Sequence, residues 1–246
     1  MEDTCIIIPA RYQSSRYPGK PLVKILGKPM IIRVIEIANK VLNKKDIFVA
    51  TDNQQIKDEV IKNGFNCIMT EEALTGTDRV ALAIKELNYK YIVNIQGDEP
   101  LLNPSDIEKC ITIKKKNPDK IINGYCFMNR EEDPLSINIP KLVTDINDNL
   151  LYISRNIIPA SKEKLKVSHN KIKKQVCIYA FNNLELDKFH GYGGKTYLEE
   201  IEDIEILRFL ELNMKVKMFK CSEGSLAVDV PSDLSKVEKA FLNKFK

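Results

Sequence analysis

The segment Ile8-Pro9-Ala10-Arg11-Tyr12-Gln13-Ser14-Ser15-Arg16-Tyr17-Pro18-Gly19-Lys20-Pro21-Leu22 places three fixed cations, Arg11, Arg16 and Lys20, within ten residues. Ser14 and Ser15 add small hydroxyls, and Pro18-Gly19 keeps the backbone compact. Cations grouped this way suit a triphosphate, because they neutralise charge on phosphoryl oxygens and on a departing pyrophosphate. A solvated basic loop is the competing description. The segment leaves the carboxyl end of the first strand-like run, where open α/β sheets bind ligands, and that position favours a ligand loop. Two common phosphate loops are excluded. Ser14 stands where a Walker A loop requires glycine, Pro21 stands where it requires Ser or Thr, and the spaced glycines of a dinucleotide fingerprint are missing.

Two acidic motifs could complete such a site. Asn94-Ile95-Gln96-Gly97-Asp98-Glu99-Pro100 follows an apolar run, so Asp98 is either a Mg²⁺ ligand at a strand end or part of a turn. In Ala227-Val228-Asp229-Val230-Pro231-Ser232-Asp233-Leu234, Asp229 is flanked by apolar residues. It either caps the following helix or faces a metal, whereas Asp233 is ordinary first-turn helix chemistry. Thr75-Gly76-Thr77-Asp78-Arg79 opens a helix whose first amides are free for a ligand. A simple cap with a solvated Arg79 is the alternative there.

The elements that must position these residues alternate. Strands are expected at Thr4–Ile8, Asp46–Thr51, Phe65–Met69 and Tyr91–Ile95. Helices are expected at Met30–Leu42, Gln54–Lys62 and Asp78–Leu87, the last capped by Thr77. Asn103-Pro104 opens a further helix. This order implies a mostly parallel, doubly wound sheet of the α/β class. Ile139–Asp145 and Leu150–Ser154 flank a turn and predict an antiparallel hairpin. Ser161–Lys174 is a polar surface loop, Gln175–Phe181 a strand, Leu198–Leu212 one helix, Lys215–Lys220 a strand and Pro231–Phe241 a closing helix. We expect a single domain over residues 1–246, with a strand-rich insertion around 130–182 that caps a cleft or pairs two subunits.

Composition narrows the class. With 246 residues, 43% hydrophobic and 29% charged, the chain is an ordinary globular protein. A net charge of +4 with interspersed signs gives no nucleic-acid footprint. The acidic start Met1-Glu2-Asp3-Thr4 is unlike a signal or transit peptide, and no apolar stretch is long enough for a membrane span. Cys5, Cys67, Cys110, Cys126, Cys177 and Cys221 form no CxxC pair and are expected as buried thiols of a cytoplasmic protein. Two histidines, His169 and His190, exclude a histidine-rich metal site.

Taken together, Ile8-Pro9-Ala10-Arg11 followed by Ser15-Arg16-Tyr17-Pro18-Gly19-Lys20-Pro21-Leu22 resembles the signature of the 3-deoxy-manno-octulosonate (KDO) cytidylyltransferases, which activate acidic sugars. Thr75–Arg79, Gln96–Pro100, Leu151-Tyr152-Ile153-Ser154-Arg155, Leu198–Arg208 and Val228–Pro231 are similar to further motifs of that family. The resemblance implies a Rossmann-like nucleotidyltransferase fold and transfer of CMP from CTP to an acidic sugar with Mg²⁺ as cofactor. It implies that Arg11, Lys20, Asp98 and Asp229 are the catalytic residues, with Asp98 and Asp229 as metal ligands. Pro9, Ala10, Ser14, Thr77, Arg79 and Gln96 would join Arg11 and Lys20 in binding the nucleotide. Gln96, Arg155, Gln175, Tyr179 and Glu199 would face the acceptor, Arg155 by gripping its carboxylate. For Glu202 and Glu205 a solvated acidic face is the competing description. A homodimer is implied as well.

One departure stands out. Gln175 occupies the position of the family's acceptor-contacting histidine and Phe181 that of a tyrosine. Glutamine donates and accepts hydrogen bonds but carries no proton charge. The acceptor therefore stays open among KDO, amino-substituted KDO, a nonulosonic acid and a phosphonate. A non-catalytic nucleotide-binding homologue is the alternative of a different class.

Overall fold

Thr4 to Ala10 form strand β1, and all seven residues are buried. Its alternate side chains go to opposite faces of the sheet, as strand geometry requires. Ile6 and Ile8 enter one core, and Cys5 and Ile7 enter the other. A computed structural model describes residues 3–13, 17–160, 169–224, 226–228 and 230–244 of the chain. After β1 come a small antiparallel pair, β2 (Lys24–Ile25) and β3 (Lys28–Pro29), then α1 (Met30–Ala38), β4 (Ile47–Thr51), α2 (Gln54–Lys62), β5 (Asn66–Met69), α3 (Gly76–Ile84), β6 (Tyr91–Ile95), α4 (Pro104–Lys116) and β7 (Ile121–Phe127). The rest of the chain adds β8 (Lys141–Thr144), β9 (Leu150–Ser154), β10 (Lys173–Phe181), α5 (Asn183–His190), α6 (Tyr197–Glu202), α7 (Ile206–Glu211), β11 (Val216–Lys220) and α8 (Asp233–Lys244).

The main sheet runs β11-β7-β10-β6-β1-β4-β5, with β8 and β9 added beside β10. β1 is parallel to both β4 and β6, β4 to β5, and β11 to β7. β10 alone is antiparallel to its two neighbours on this path. Helices α1 and α4 cover one face through Ile31, Ile35, Ile107 and Ile111. Helices α3, α5 and α7 cover the other through Val80, Leu186 and Phe209. Each such fully buried side chain stabilises the fold by about 2 kcal/mol of apolar transfer. The three layers match the expected doubly wound α/β class. A third, smaller cluster of Ile25, Met30, Leu101, Val228, Val237 and Phe241 seats α8 against the β2–β3 pair.

Three expectations change. The stretch Leu198–Leu212 is two helices, because Asp203 adopts a left-handed conformation (φ 49°) and ends the first. Helix α3 is capped by Thr75, whose Oγ1 accepts from the Asp78 amide at 3.1 Å, and Thr77 lies inside the first turn. The strand-rich stretch divides: β8 and β9 flank the sheet as the expected hairpin, but β10 lies inside it, between β6 and β7. Of the expected loop Ser161–Lys174, residues 161–168 lie outside the described residues.

Candidate active site

Strands β1 and β6 end side by side, and their exits make the floor of a cavity of about 350 Å³. Gly97 has no Cβ, and one built there would meet the Pro9 carbonyl oxygen at 3.1 Å, so glycine lets the two strand exits close together. The first loop turns at Gly19 (φ 70°), whose amide donates to the Tyr12 carbonyl at 2.8 Å. That turn delivers Lys20 to Asp98, with Nζ 2.6 Å from Oδ2. Both side chains are partly exposed, 15% and 26%, on the cavity side. Pro9, Ala10 and Arg11 line the same space, as does Gln96. Ser14, Arg16 and Asp229 lie outside the described residues. The neighbour of Asp229 is in place, because the Val228 amide donates to the Asp98 carbonyl at 3.0 Å.

The opposite wall belongs to α3 and the α6–α7 corner. Glu205 accepts from the amides of Gly76 and Thr77 at 3.0 and 2.9 Å. The expected free amides of that helix are therefore taken, and Glu205 is not on a solvated face. A carboxylate suits this end of a helix because it meets unpaired N–H groups and the positive end of the helix dipole. Protein surrounds the Glu205 carboxyl except where it meets the cavity. That burial pushes its pKa above the ordinary 4.5, against the pull of the Thr77 and Gly76 bonds. Thr77 is buried behind the wall and does not line the cavity. Arg79 lines it but is only 3% exposed, with Nη2 on Asp52 Oδ2 and Nη1 on Thr70 Oγ1, both at 2.6 Å. A solvated Arg79 is excluded.

At the far end sit Arg155, Gln175, Tyr179 and Glu199, all lining the cavity. Gln175 Nε2 donates to Asn123 Oδ1 at 3.0 Å and to the Tyr179 hydroxyl at 3.2 Å. Burial pushes the Tyr179 hydroxyl pKa well up. Glu199 is 1% exposed, and its oxygens accept from Arg208 Nε at 2.6 Å and Nη2 at 2.7 Å. Arg208, fully buried, also reaches both Asp78 oxygens, at 3.0 and 3.1 Å. This buried fork joins α7 to α6 and α3 and fixes the wall that carries Glu199 and Glu205. Glu202 is no solvated residue either: it accepts from Ser154 Oγ at 2.7 Å and from the Arg155 amide at 2.8 Å.

Lys195 and Asp203 also line the cavity, bonded to each other at 2.9 Å, and neither was legible as a site residue in the sequence. Lys195 sits before the Thr196–Glu199 capping box in a stretch with no motif, and Asp203 is exposed to the cavity only because the helix breaks there. The Lys195 ammonium holds the Asp203 carboxyl below the usual 3.8, with Arg155 and Arg11 adding to the effect.

A hard oxygen donor such as Asp98 suits Mg²⁺. Among the described residues no group of three or more His, Cys, Asp or Glu could hold a metal by itself. Asp98 alone fits an ion that takes one or two carboxylates and completes its shell with phosphate oxygens and water. No helix among the described residues is long and apolar enough to cross a membrane.

The chain is similar to known proteins over most of its length. Residues 5–216 match the cytidylyltransferase family model. The chain is 37% identical over 244 residues to the 8-amino-3,8-dideoxy-manno-octulosonate cytidylyltransferase of Shewanella baltica, covering 95% of this chain and 96% of the relative. It is 40% identical over 248 residues to 3-deoxy-manno-octulosonate cytidylyltransferase 2 of Hydrogenovibrio crunogenus, covering 98% of each. A solved structure of CMP:2-keto-3-deoxy-manno-octonic acid synthetase complexed with CTP superposes with a TM-score of 0.88 at 31% identity, covering 98% of this chain and 99% of that one.

Proposed function

The chain belongs to the cytidylyltransferase family, and from that premise we propose that it joins the CMP unit of CTP to an acidic 3-deoxy-2-keto sugar, KDO or its 8-amino counterpart, and releases pyrophosphate. The observation that carries this reading is the Lys20–Asp98 pair at the strand-exit end of a cavity whose far end holds Arg155 and Gln175. One end of that cavity suits a triphosphate and the other a polar, anionic acceptor.

The anomeric hydroxyl of the sugar gives up its proton to water and attacks the α-phosphorus of CTP, a P–O bond forms, and the bond from the α-phosphorus to the oxygen bridging it to the β-phosphate breaks, so that pyrophosphate leaves with that oxygen. Neither histidine lies in the cavity lining, so the reaction rests on positioning and charge neutralisation. Arg11 and Lys20 neutralise charge on the leaving pyrophosphate, and Lys20 is already held at the correct strand exit by Asp98. Pro9, Ala10 and Gln96 present backbone and amide groups to the cytosine. Asp98 and Asp229 would hold Mg²⁺, which when bound draws charge from the phosphates and lowers the pKa of the attacking hydroxyl. Support for Asp229 comes from its neighbour Val228, whose amide is bonded to the Asp98 carbonyl. Arg155, Gln175, Tyr179 and Glu199 orient the acceptor, Glu199 with its carboxylate fixed by Arg208.

The test is pyrophosphate release with CTP, Mg²⁺ and a panel of KDO, 8-amino-KDO, a nonulosonic acid and a phosphonate. Turnover with the first two and none with the others is the expected result. Tight CTP binding with no release from any acceptor would instead indicate a binding protein. Six free thiols, four of them fully buried, support a reducing, cytoplasmic setting. Leu151, 60% exposed on the outer strand β9, supports pairing of two copies. A single 28.2 kDa species in sedimentation would exclude the dimer.

A further inference from the structure

Lys195 is a cavity cation that no motif assigns, and unlike Arg155 beside it, it keeps donors to spare. Arg155, the residue expected to grip the acceptor's carboxylate, is occupied by main chain. Its Nε donates to the Glu202 carbonyl at 2.5 Å, Nη1 to the Ile137 carbonyl at 2.8 Å and Nη2 to the Asp203 carbonyl at 2.8 Å. Nε carries one hydrogen, so the side-on edge of the guanidinium, Nε with Nη2, is closed to a bidentate carboxylate. The Arg155 amide is fixed by Glu202 and its carbonyl by the buried Lys141 ammonium. This arginine braces the acceptor end of the cavity. Arg79 is held by Asp52 and Thr70, and Lys20, which like Lys195 has one carboxylate partner, lies with Asp98 at the strand exits.

An ammonium has three donors. Lys195 gives one to Asp203 Oδ1 at 2.9 Å, and Nζ has no second partner among the described residues. The side chain is 26% exposed, and it shares the cavity wall with Arg155 and Gln175. Asp203, itself 3.7 Å from Arg155 Nη2, leaves the Lys195–Arg155–Asp203 group with a net positive charge. Such a group favours an anionic oxygen over the hydroxyls of the sugar.

We propose that Lys195 binds the carboxylate of the acidic acceptor, with Asp203 as the positioning residue that holds its ammonium in the cavity. This rests on the transferase reading above. The same chemistry would suit an outer phosphate of CTP, and the two sources separate in steady-state kinetics. Lys195→Met keeps the aliphatic stem and removes the charge. The expected result is an acceptor KM raised about tenfold or more, with the KM for CTP within about twofold, which is the loss of one charge-assisted hydrogen bond. Lys195→Arg restores most of the affinity, and the penalty of Lys195→Met vanishes when the acceptor is a carboxamide analogue. Lys195→Gln is the second neutral variant should the first not fold. An acceptor KM unchanged in the neutral variants overturns the proposal. So does a rise in the KM for CTP instead, or an equal penalty with the carboxamide. If wild-type protein releases no pyrophosphate with any acidic sugar, the transferase reading falls first and this inference falls with it.

Discussion

Lys20 and Asp98 are 78 positions apart in the chain and 2.6 Å apart in space, and that contact ties the loop after β1 to the exit of β6. On the proposed reading the ammonium passes to a phosphate oxygen and leaves the carboxylate oxygens for a metal. Asp98→Asn preserves shape and still accepts from Lys20, but removes the charge. We expect kcat to fall by roughly a thousandfold, from the several kcal/mol of charge stabilisation at stake. The unfolding midpoint should stay near that of the parent protein. Near-normal pyrophosphate release by Asp98→Asn would remove this residue from the metal site.

The Arg208 guanidinium lies between two buried carboxylates, those of Asp78 and Glu199, and stacks 3.7 Å from the centre of the Phe189 ring. Removing one partner of such a group leaves buried charge without compensation. Arg208→Met should cost about 3–5 kcal/mol, which is roughly 6–20 °C in the melting temperature of a chain this size. Arg208→Lys should rescue only part of it, since an ammonium cannot match two forks at once. Thermal melts read both values, and a shift of Arg208→Met by no more than a degree or two would show that the network adds nothing to stability.

Glu205 supplies a pH test. Its folded pKa is raised above 4.5 by burial. A group whose folded value lies above its unfolded value contributes stability in full below the unfolded value and loses it as pH rises through the folded value. Glu205→Gln carries no proton equilibrium, so the difference in melting temperature between wild type and Glu205→Gln should move against the wild type as pH rises from about 4.5 toward neutrality. A difference that is flat, or that favours the wild type more with rising pH, would show that the bonds from Gly76 and Thr77 outweigh burial.

The meeting of Lys20 with Asp98 was legible because its signals are local. A loop with fixed cations after β1 and an acid after β6 need only the topology of parallel strands to meet, and both patterns survive as written in the chain. The opposite wall was not legible in the same way. Glu205 looks like one more surface acid in Leu198–Arg208 until α3 is seen to bring two unpaired amides to it. The single helix expected there breaks at Asp203, and no glycine or proline marks the break in the sequence. Strand β10 looked like part of an insertion because an antiparallel strand inside a mostly parallel sheet can be placed only once its neighbours are known.

Gln175 gives the last test, since the resemblance sets it where the family is expected to have a histidine. Its side chain is fixed by Asn123 and by the hydroxyl of Tyr179, and the burial that raises the tyrosine's pKa keeps that hydroxyl neutral over ordinary pH. No group in this trio titrates near neutrality. Gln175→His would introduce one that does, with an ordinary value of about 6.5. The acceptor KM of Gln175→His, divided by that of wild type at each pH, should therefore change between about pH 5.5 and 7.5 and level off on either side, while the same ratio for CTP stays flat. Dividing by wild type cancels the titration of CTP and of the acceptor themselves. A flat acceptor ratio would mean that this position does not touch the sugar and that the glutamine is there for the hydrogen bonds to Asn123 and Tyr179 alone.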